Sequence, residues 1–198
     1  MPKFFVNEEQ IQKEDVKVIG NDVKHIKNVL REKVGNELII CNTSNKKDYL
    51  CKIEEISEEY IKCKIEKELE NNSESNIQVT IMQGLPKADK MELIIQKSVE
   101  LGVYDIIPIE MKRCVVKVNE KDKQKKLQRW QKISEVAAKQ CGRNIIPKIK
   151  PILNLKNICN MLKEYDIVLL AYEKEEKITI KQELNNIKEN LDNNSCLL

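Results

Sequence analysis

The stretch that decides the fold runs from residue 77 to residue 109. It opens with Ile77-Gln78-Val79-Thr80-Ile81-Met82 and closes with Val103-Tyr104-Asp105-Ile106-Ile107-Pro108-Ile109. Both are apolar runs of strand length rich in β-branched residues. Between them, Lys87 to Leu101 places Met91, Ile94, Ile95 and Val99 on one helical face, and Gly102 ends it. Strand, helix, strand in that order predicts two parallel strands joined by a crossover helix.

Working toward the C-terminus, the alternation continues. Glu120 to Cys141 reads as a long helix with Trp130, Ile133, Ala137 and Cys141 along one stripe. Leu155 to Leu162 reads as a short helix. Ile167-Val168-Leu169-Leu170 reads as a buried strand, and Ile180, Leu184, Ile187 and Leu191 fit one more helical face. Ser195-Cys196-Leu197-Leu198 reads as the first half of a further strand. The whole is a parallel α/β sheet.

Working toward the N-terminus, the rhythm changes. Asn21 or Asp22 is placed to cap a helix carrying Val23, Ile26, Val29 and Leu30. Glu37 to Cys41 and Tyr49 to Ile56 read as strands around a polar loop. Ile61, Cys63 and Ile65 alternate with Lys62, Lys64 and Glu66, as in a half-buried strand. Short strands separated by turns predict a small barrel or sandwich. The polar run Glu66 to Asn76 reads as the linker between two domains.

Composition narrows the function. The chain has 198 residues, with 41% hydrophobic and 34% charged residues but only 4% aromatic, so its core rests on Ile, Leu and Val. Its net charge of +3 is unevenly spread. From Lys112 to Lys150 thirteen cations face three anions, a local +10 that leaves −7 elsewhere. A basic stretch of this kind predicts a polyanionic partner met by one face. Seven cysteines with no C-x-x-C pair, and His25 as the only histidine, argue against a zinc site by spacing, so no metal is expected, and they predict reduced thiols in the cytoplasm. No stretch is long and apolar enough to span a bilayer, so no membrane is expected as a partner. There is no G-x-G-x-x-G, no Walker loop and no G-x-S-x-G elbow.

In parallel α/β sheets, ligands gather at loops following the C-terminal ends of strands. Three loops qualify here: Gln83 to Lys87, Glu110 to Lys117, and Ala171-Tyr172-Glu173. Lys87, Lys90, Arg113 and Lys117 suit a phosphate or a base carbonyl. Arg143 follows a helix, so simple topology sets it at the opposite end, and it reaches the site only through a long connection or a second subunit.

At these residues the sequence resembles a known family. His25-Ile-Lys-Asn-Val-Leu-Arg31-Glu-Lys33-Val-Gly35, Lys90-Met-Glu92, Gln96-Lys-Ser-Val-Glu100-Leu-Gly102, Arg113-Cys-Val-Val-Lys117, Trp130-Gln-Lys-Ile and Ala137-Ala-Lys-Gln140-Cys-Gly-Arg143-Asn144 carry the likeness. They resemble the RsmE family, bacterial 16S ribosomal RNA (uracil-1498-N3)-methyltransferases. The resemblance implies an N-terminal PUA-like RNA-binding β-barrel over 1–70 and a SPOUT (trefoil-knot) parallel α/β domain over 77–198, usually as a homodimer. It implies S-adenosylmethionine as methyl donor and 16S ribosomal RNA in the small ribosomal subunit as substrate. Arg113 becomes the candidate catalytic residue. Leu170, Ala171 and Tyr172 become one wall of the cofactor pocket. Lys3, Arg31, Lys33, Lys87, Lys90, Lys117 and Arg143 become candidate RNA contacts, with no metal. The family builds the rest of the cofactor site from a Gly-Pro-Glu-Gly-Gly strand end and a Leu-Gly-x-x-Leu-Arg-Thr-Glu-Thr segment, and neither occurs in residues 1–198. The expectation is a SPOUT domain cut before its knot closes. The alternative is an RNA-binding or dimerising fragment without catalysis.

Overall fold

A computed structural model describes residues 1–70, 73–87, 90–111, 119–172, 174–187 and 196–197. It divides into two compact units. One comprises Met1–Glu74 with Ala138–Ile146, and the other Ser75–Ala137 with Pro147–Leu198.

The first unit is a curled six-stranded sheet. Its strands are β1 (Lys3–Val6), β2 (Ile11–Gln12), β3 (Asp15–Ile19), β4 (Glu37–Asn42), β5 (Lys47–Ile56) and β6 (Tyr60–Leu69). They lie in the order β1-β4-β5-β6-β3-β2, antiparallel except for β1 against β4. Strand periodicity explains the core. Val16 and Val18 on β3, Leu38 and Ile40 on β4, and Ile61 and Cys63 on β6 alternate inward, while Lys17, Lys62 and Lys64 alternate outward. The sheet closes over α1 (Asn21–Lys24), which continues without a break into a π-helical turn, His25–Leu30. Val23 and Ile26 bury its inner side. The helix is capped by Gly20, with Asn21 and Asp22 already inside its first turn. Val29 and Leu30, expected on the inner face, are exposed, because widening to a π turn rotates them out of the helical stripe.

The polar run expected as linker is partly strand. Glu66 to Leu69 extend β6, and Lys67 to Leu69 pair with Asp48 to Leu50 of β5 across a bulge at Glu66. Their polar side chains face solvent, with Lys47 bridging Glu68 at 2.8 Å, so composition alone disguised a paired strand.

The second unit holds β7 (Gln78–Gly84), α2 (Lys90–Glu100), β8 (Asp105–Glu110), α3 (Glu120–Gln140), β9 (Lys148–Ile149), β10 (Leu153–Asn154), α4 (Leu155–Met161), α5 (Ile180–Ile187) and β11 (Cys196–Leu197). The last three residues of α3 count with the first unit. Strand order is β10-β8-β7-β11, with β9 also on β8, and every pairing is parallel. Met91, Ile95 and Val99 pack inward from α2, and Ile106, Ile107 and Ile109 from β8. Trp130, Ser134, Ala137 and Ala138 form the buried stripe of α3. Ser134 donates to the Pro147 carbonyl at 2.7 Å and the Gln131 side-chain Oε1 accepts from the Ile149 amide at 2.9 Å, fixing the return to β9. Cys141, expected on the α3 stripe, lies beyond its end and is exposed.

One expectation fails here. Ile167 to Leu170 is not a buried strand: Ile167 makes an isolated bridge, Val168 is exposed and Leu170 is 86% exposed. A four-residue apolar run signals burial only when strands flank it on both sides, and among the described residues this run has no ladder. The helical face expected at Ile180, Leu184 and Ile187 is present as α5, with Ile180 63% exposed and none of its described side chains buried; Leu191 lies outside the described residues.

Candidate functional site

The parallel register brings three strand ends to one edge. Gln83 pairs with Pro108 and Gly84 with Ile109, so β7 and β8 end side by side. β10 joins the same edge through Leu153 opposite Ile109 and Asn154 opposite Glu110. The loop after β7 carries Lys87, and α2 begins at Lys90. Both lysines are exposed. The chain leaves β8 through Met111, whose Sδ lies 3.3 Å from where a Cβ on Gly84 would stand. Glycine at 84 leaves room for Met111 to lie across the strand end.

Arg113 and Lys117 follow Met111 in sequence and lie outside the described residues. Leu170, Ala171 and Tyr172 are exposed.

Glu100 is engaged within its own helix. It accepts from Lys97 Nζ at 2.7 Å and from Gln96 Nε2 at 3.0 Å. The Lys97 hydrogen bond holds its carboxyl below the usual carboxylate value, which makes it a poorer proton acceptor. His25 is exposed and meets the Phe4 ring edge to face at 6.0 Å. Burial pushes the thiols of Cys41, Cys51 and Cys63 up to about 12, so they are inert packing groups. Among the described residues no cluster of His, Cys, Asp or Glu suits a metal ion, and no helix is long and apolar enough to cross a membrane.

In the first unit the candidate RNA contacts fall into two groups. Arg31 and Lys33 sit in the exposed turn after the π segment. Lys3 and Arg143 are buried. Lys3 Nζ donates to Asp48 Oδ2 at 2.8 Å, to the Gly142 carbonyl at 3.1 Å and to Asn144 Oδ1. The Arg143 guanidinium holds Glu74 through Nη2 at 2.6 Å and Nε at 3.2 Å. Glu74 also accepts the amides of Asn144 at 2.8 Å and Ile145 at 3.0 Å. Partial burial raises the Glu74 carboxyl, but Arg143 and the two amides outweigh it and leave the group below its usual value. The phosphate contacts expected of Lys3 and Arg143 thus give way to internal bonds. Glu74 was not foreseen; it lies in a polar run with no local sign of a partner.

The basic stretch is similarly tempered. Arg129 bridges Glu92 at 2.8 Å, Lys139 bridges Asp22 at 2.8 Å and Lys150 bridges Asp105 at 2.9 Å. Carboxylates from outside residues 112–150 fold onto it, so its +10 in sequence overstates the field it presents.

A curled PUA-like sheet with exposed cations and a parallel SPOUT-type sheet with its loops at one edge define the class of two-domain RNA-modifying proteins. The comparisons place the chain within that class. Residues 73–198 match the RNA methyltransferase domain and residues 18–66 the RNA methyltransferase PUA domain. The chain is 33% identical over 180 residues to ribosomal RNA small subunit methyltransferase E of Bacillus subtilis, covering 89% of this chain and 70% of that protein. Among solved structures it is similar to a crystal structure of a hypothetical protein, at TM-score 0.89 and 32% identity, over 99% of this chain and 78% of that one. It is also similar to a methyltransferase of Legionella pneumophila in complex with the cofactor SAM, at TM-score 0.72 and 29% identity, over 87% of this chain and 72% of that one. The chain belongs to the RNA methyltransferase family.

Proposed function

We propose that this protein transfers a methyl group from S-adenosylmethionine to N3 of a uridine, the one numbered 1498, in 16S ribosomal RNA. The observation that carries this reading is the match of residues 73–198 to the RNA methyltransferase domain, joined to the likeness with the Bacillus subtilis protein along most of the chain.

The uracil N3 carries a proton and is a poor nucleophile until it is lost. Deprotonation spreads negative charge onto the flanking carbonyls. Arg113 is the proposed group that stabilises this charge, worth about 2–4 kcal/mol if it acts as an oxyanion donor does. Arginine stays protonated, so it is not the base. Glu100, held by Lys97, is disfavoured in that role. Lys87 and Lys90 hold phosphates near the edge formed by β7 and β8, with Lys117 added from the β8 loop. Arg31 and Lys33 supply phosphate contacts on the first unit. The cofactor brings an activated methyl group, and Leu170, Ala171 and Tyr172 form the wall on which its apolar part packs. The base itself is read after leaving its stack, as for other base-modifying enzymes.

The protein acts in the cytoplasm, where ribosomal RNA is assembled, and as a homodimer. Exposed apolar side chains on the second unit, Val136, Leu170 and Ile180 among them, support association.

Titration calorimetry with S-adenosylmethionine tests the reading. Saturable binding to residues 1–198, together with methylation of undermodified small subunits that Arg113→Ala abolishes, is the expected result. Absence of cofactor binding favours the alternative of an RNA-binding or dimerising fragment. Turnover near wild type in Arg113→Ala removes the role given to that arginine.

A further inference from the structure

The segment Ala137-Ala-Lys139-Gln-Cys-Gly142-Arg143-Asn144 contributes no solvent-facing arginine, so its purpose lies elsewhere. Within the first unit it is tied down at three points. Asn144 and the Gly142 carbonyl take the Lys3 ammonium, which Asp48 also holds. Glu74 takes Arg143 and two backbone amides. Ser73 Oγ lies 3.4 Å from the Gly142 carbonyl. Side chains of Lys3, Asp48 and Arg143 are each only 5% exposed, so these bonds are shielded from water. A segment fixed this way can transmit a position to whatever it grips.

What it grips is α1. Lys139 Nζ donates to Asp22 Oδ1 at 2.8 Å and to Oδ2 at 2.9 Å, a forked bond with both side chains mostly covered. The same ammonium stands 5.7 Å from the Phe4 ring centroid, and Phe4 meets His25 on the next turn of the rod. Asp22 lies in the first turn of a continuous helical rod, Asn21 to Leu30. At its far end stands Arg31, with φ 57° and ψ 37°. Left-handed backbone at a non-glycine residue persists only where its surroundings hold it. The amide of Glu32 closes the turn on the Ile26 carbonyl at 3.0 Å. A small tilt at Asp22 therefore becomes a displacement at Arg31.

We infer that Lys139, gripping Asp22, is a positioning residue for RNA binding: it sets the angle of the α1 rod and so the placement of Arg31. Lys139 acts through α1 and does not itself meet the RNA. This rests on the proposed role of Arg31 as a phosphate contact.

The two roles separate by sign. If Lys139 met phosphate directly, Asp22→Asn would free the ammonium, remove a negative charge and tighten binding. A positioning role requires Asp22→Asn to weaken binding instead. The experiment measures binding of the full chain to a 16S ribosomal RNA transcript over a salt series. Arg31→Ala is expected to weaken binding and make the salt slope shallower by about one. Asp22→Asn and Lys139→Ala are expected to weaken it about two- to tenfold, with neither additive to Arg31→Ala, since coupled groups share one interaction. Asp22→Glu, which keeps the carboxylate, restores binding and guards against misfolding. Unchanged or tighter binding by Asp22→Asn, with Arg31→Ala still defective, overturns the positioning role alone. No defect in Arg31→Ala overturns the RNA contact and the positioning role together.

Discussion

Arg31 and Arg143 make an instructive pair. Each sits at a turn reached through left-handed backbone: Arg31 adopts φ 57° itself, and Arg143 follows Gly142 at φ 74°. Each lies just past a helix, and each was a candidate phosphate ligand. Their environments are opposite. Arg31 faces solvent, whereas Arg143 is 4% exposed and gripped by Glu74. The number of cations in a sequence therefore says little about the number offered to a polyanion. The carboxylate within reach decides, and that carboxylate is set by the fold.

The largest effect that sharpens this contrast is on stability. Glu74→Gln removes the carboxylate charge that pairs with the buried Arg143 guanidinium. Breaking a buried pair on one side costs about 3–5 kcal/mol. Glu74 keeps 23% of its exposure, so a loss of about 2–3 kcal/mol is expected in urea unfolding. Arg31→Ala in the same assay should change stability by less than about 0.5 kcal/mol, because an exposed turn loses little. If both variants unfold alike, the distinction between an internal and an outward arginine is wrong.

A second measurement uses pH. The folded Glu74 carboxyl lies below its ordinary value, so the native state favours its charged form. Its contribution is present at pH values above the unfolded carboxylate value of 4.5 and is lost as pH falls through the lower folded value. Wild type should therefore lose stability on acidification in that window more steeply than Glu74→Gln, in which the group no longer titrates. Parallel acid profiles for the two proteins would show that Glu74 is not coupled to folding.

Much of this was legible beforehand, and the particular failures explain the rest. Ile61 and Cys63 alternating with lysines announced β6, and the apolar runs around Met91 and Val99 announced β7, α2 and β8. These signals are local, because strand and helix periodicity is written in neighbouring residues. The partnership of Arg143 with Glu74 spans 69 positions, and that of Lys3 with Asn144 spans 141. No local pattern encodes such a pair. Ile167 to Leu170 failed for a related reason: four apolar residues signal a desire for burial, and only neighbouring strands can grant it. The edge bearing Lys87 and Lys90 was legible, since parallel topology follows from the order of elements and fixes which loops meet.

The smallest expected effect tests the comparison from its exposed side. Lys97 and Glu100 form a 2.7 Å pair, nearly the length of the bond between Arg143 and Glu74, yet they lie on the surface of α2. Distance alone would rank the two pairs as equals. In water the Coulomb attraction is screened, and ordering two long side chains opposes it, so exposed pairs of this kind contribute little or nothing measurable. Lys97→Ala should leave the thermal midpoint where it is, and added salt should not distinguish it from wild type. It should also let the Glu100 carboxyl rise toward its ordinary value, since the Lys97 hydrogen bond is what lowers it. Carbon-detected NMR titration of Glu100 reads that change directly. A large loss of stability in Lys97→Ala would mean that bond length, rather than burial, governs these pairs, and the separation of Arg143 from Arg31 would lose its physical basis.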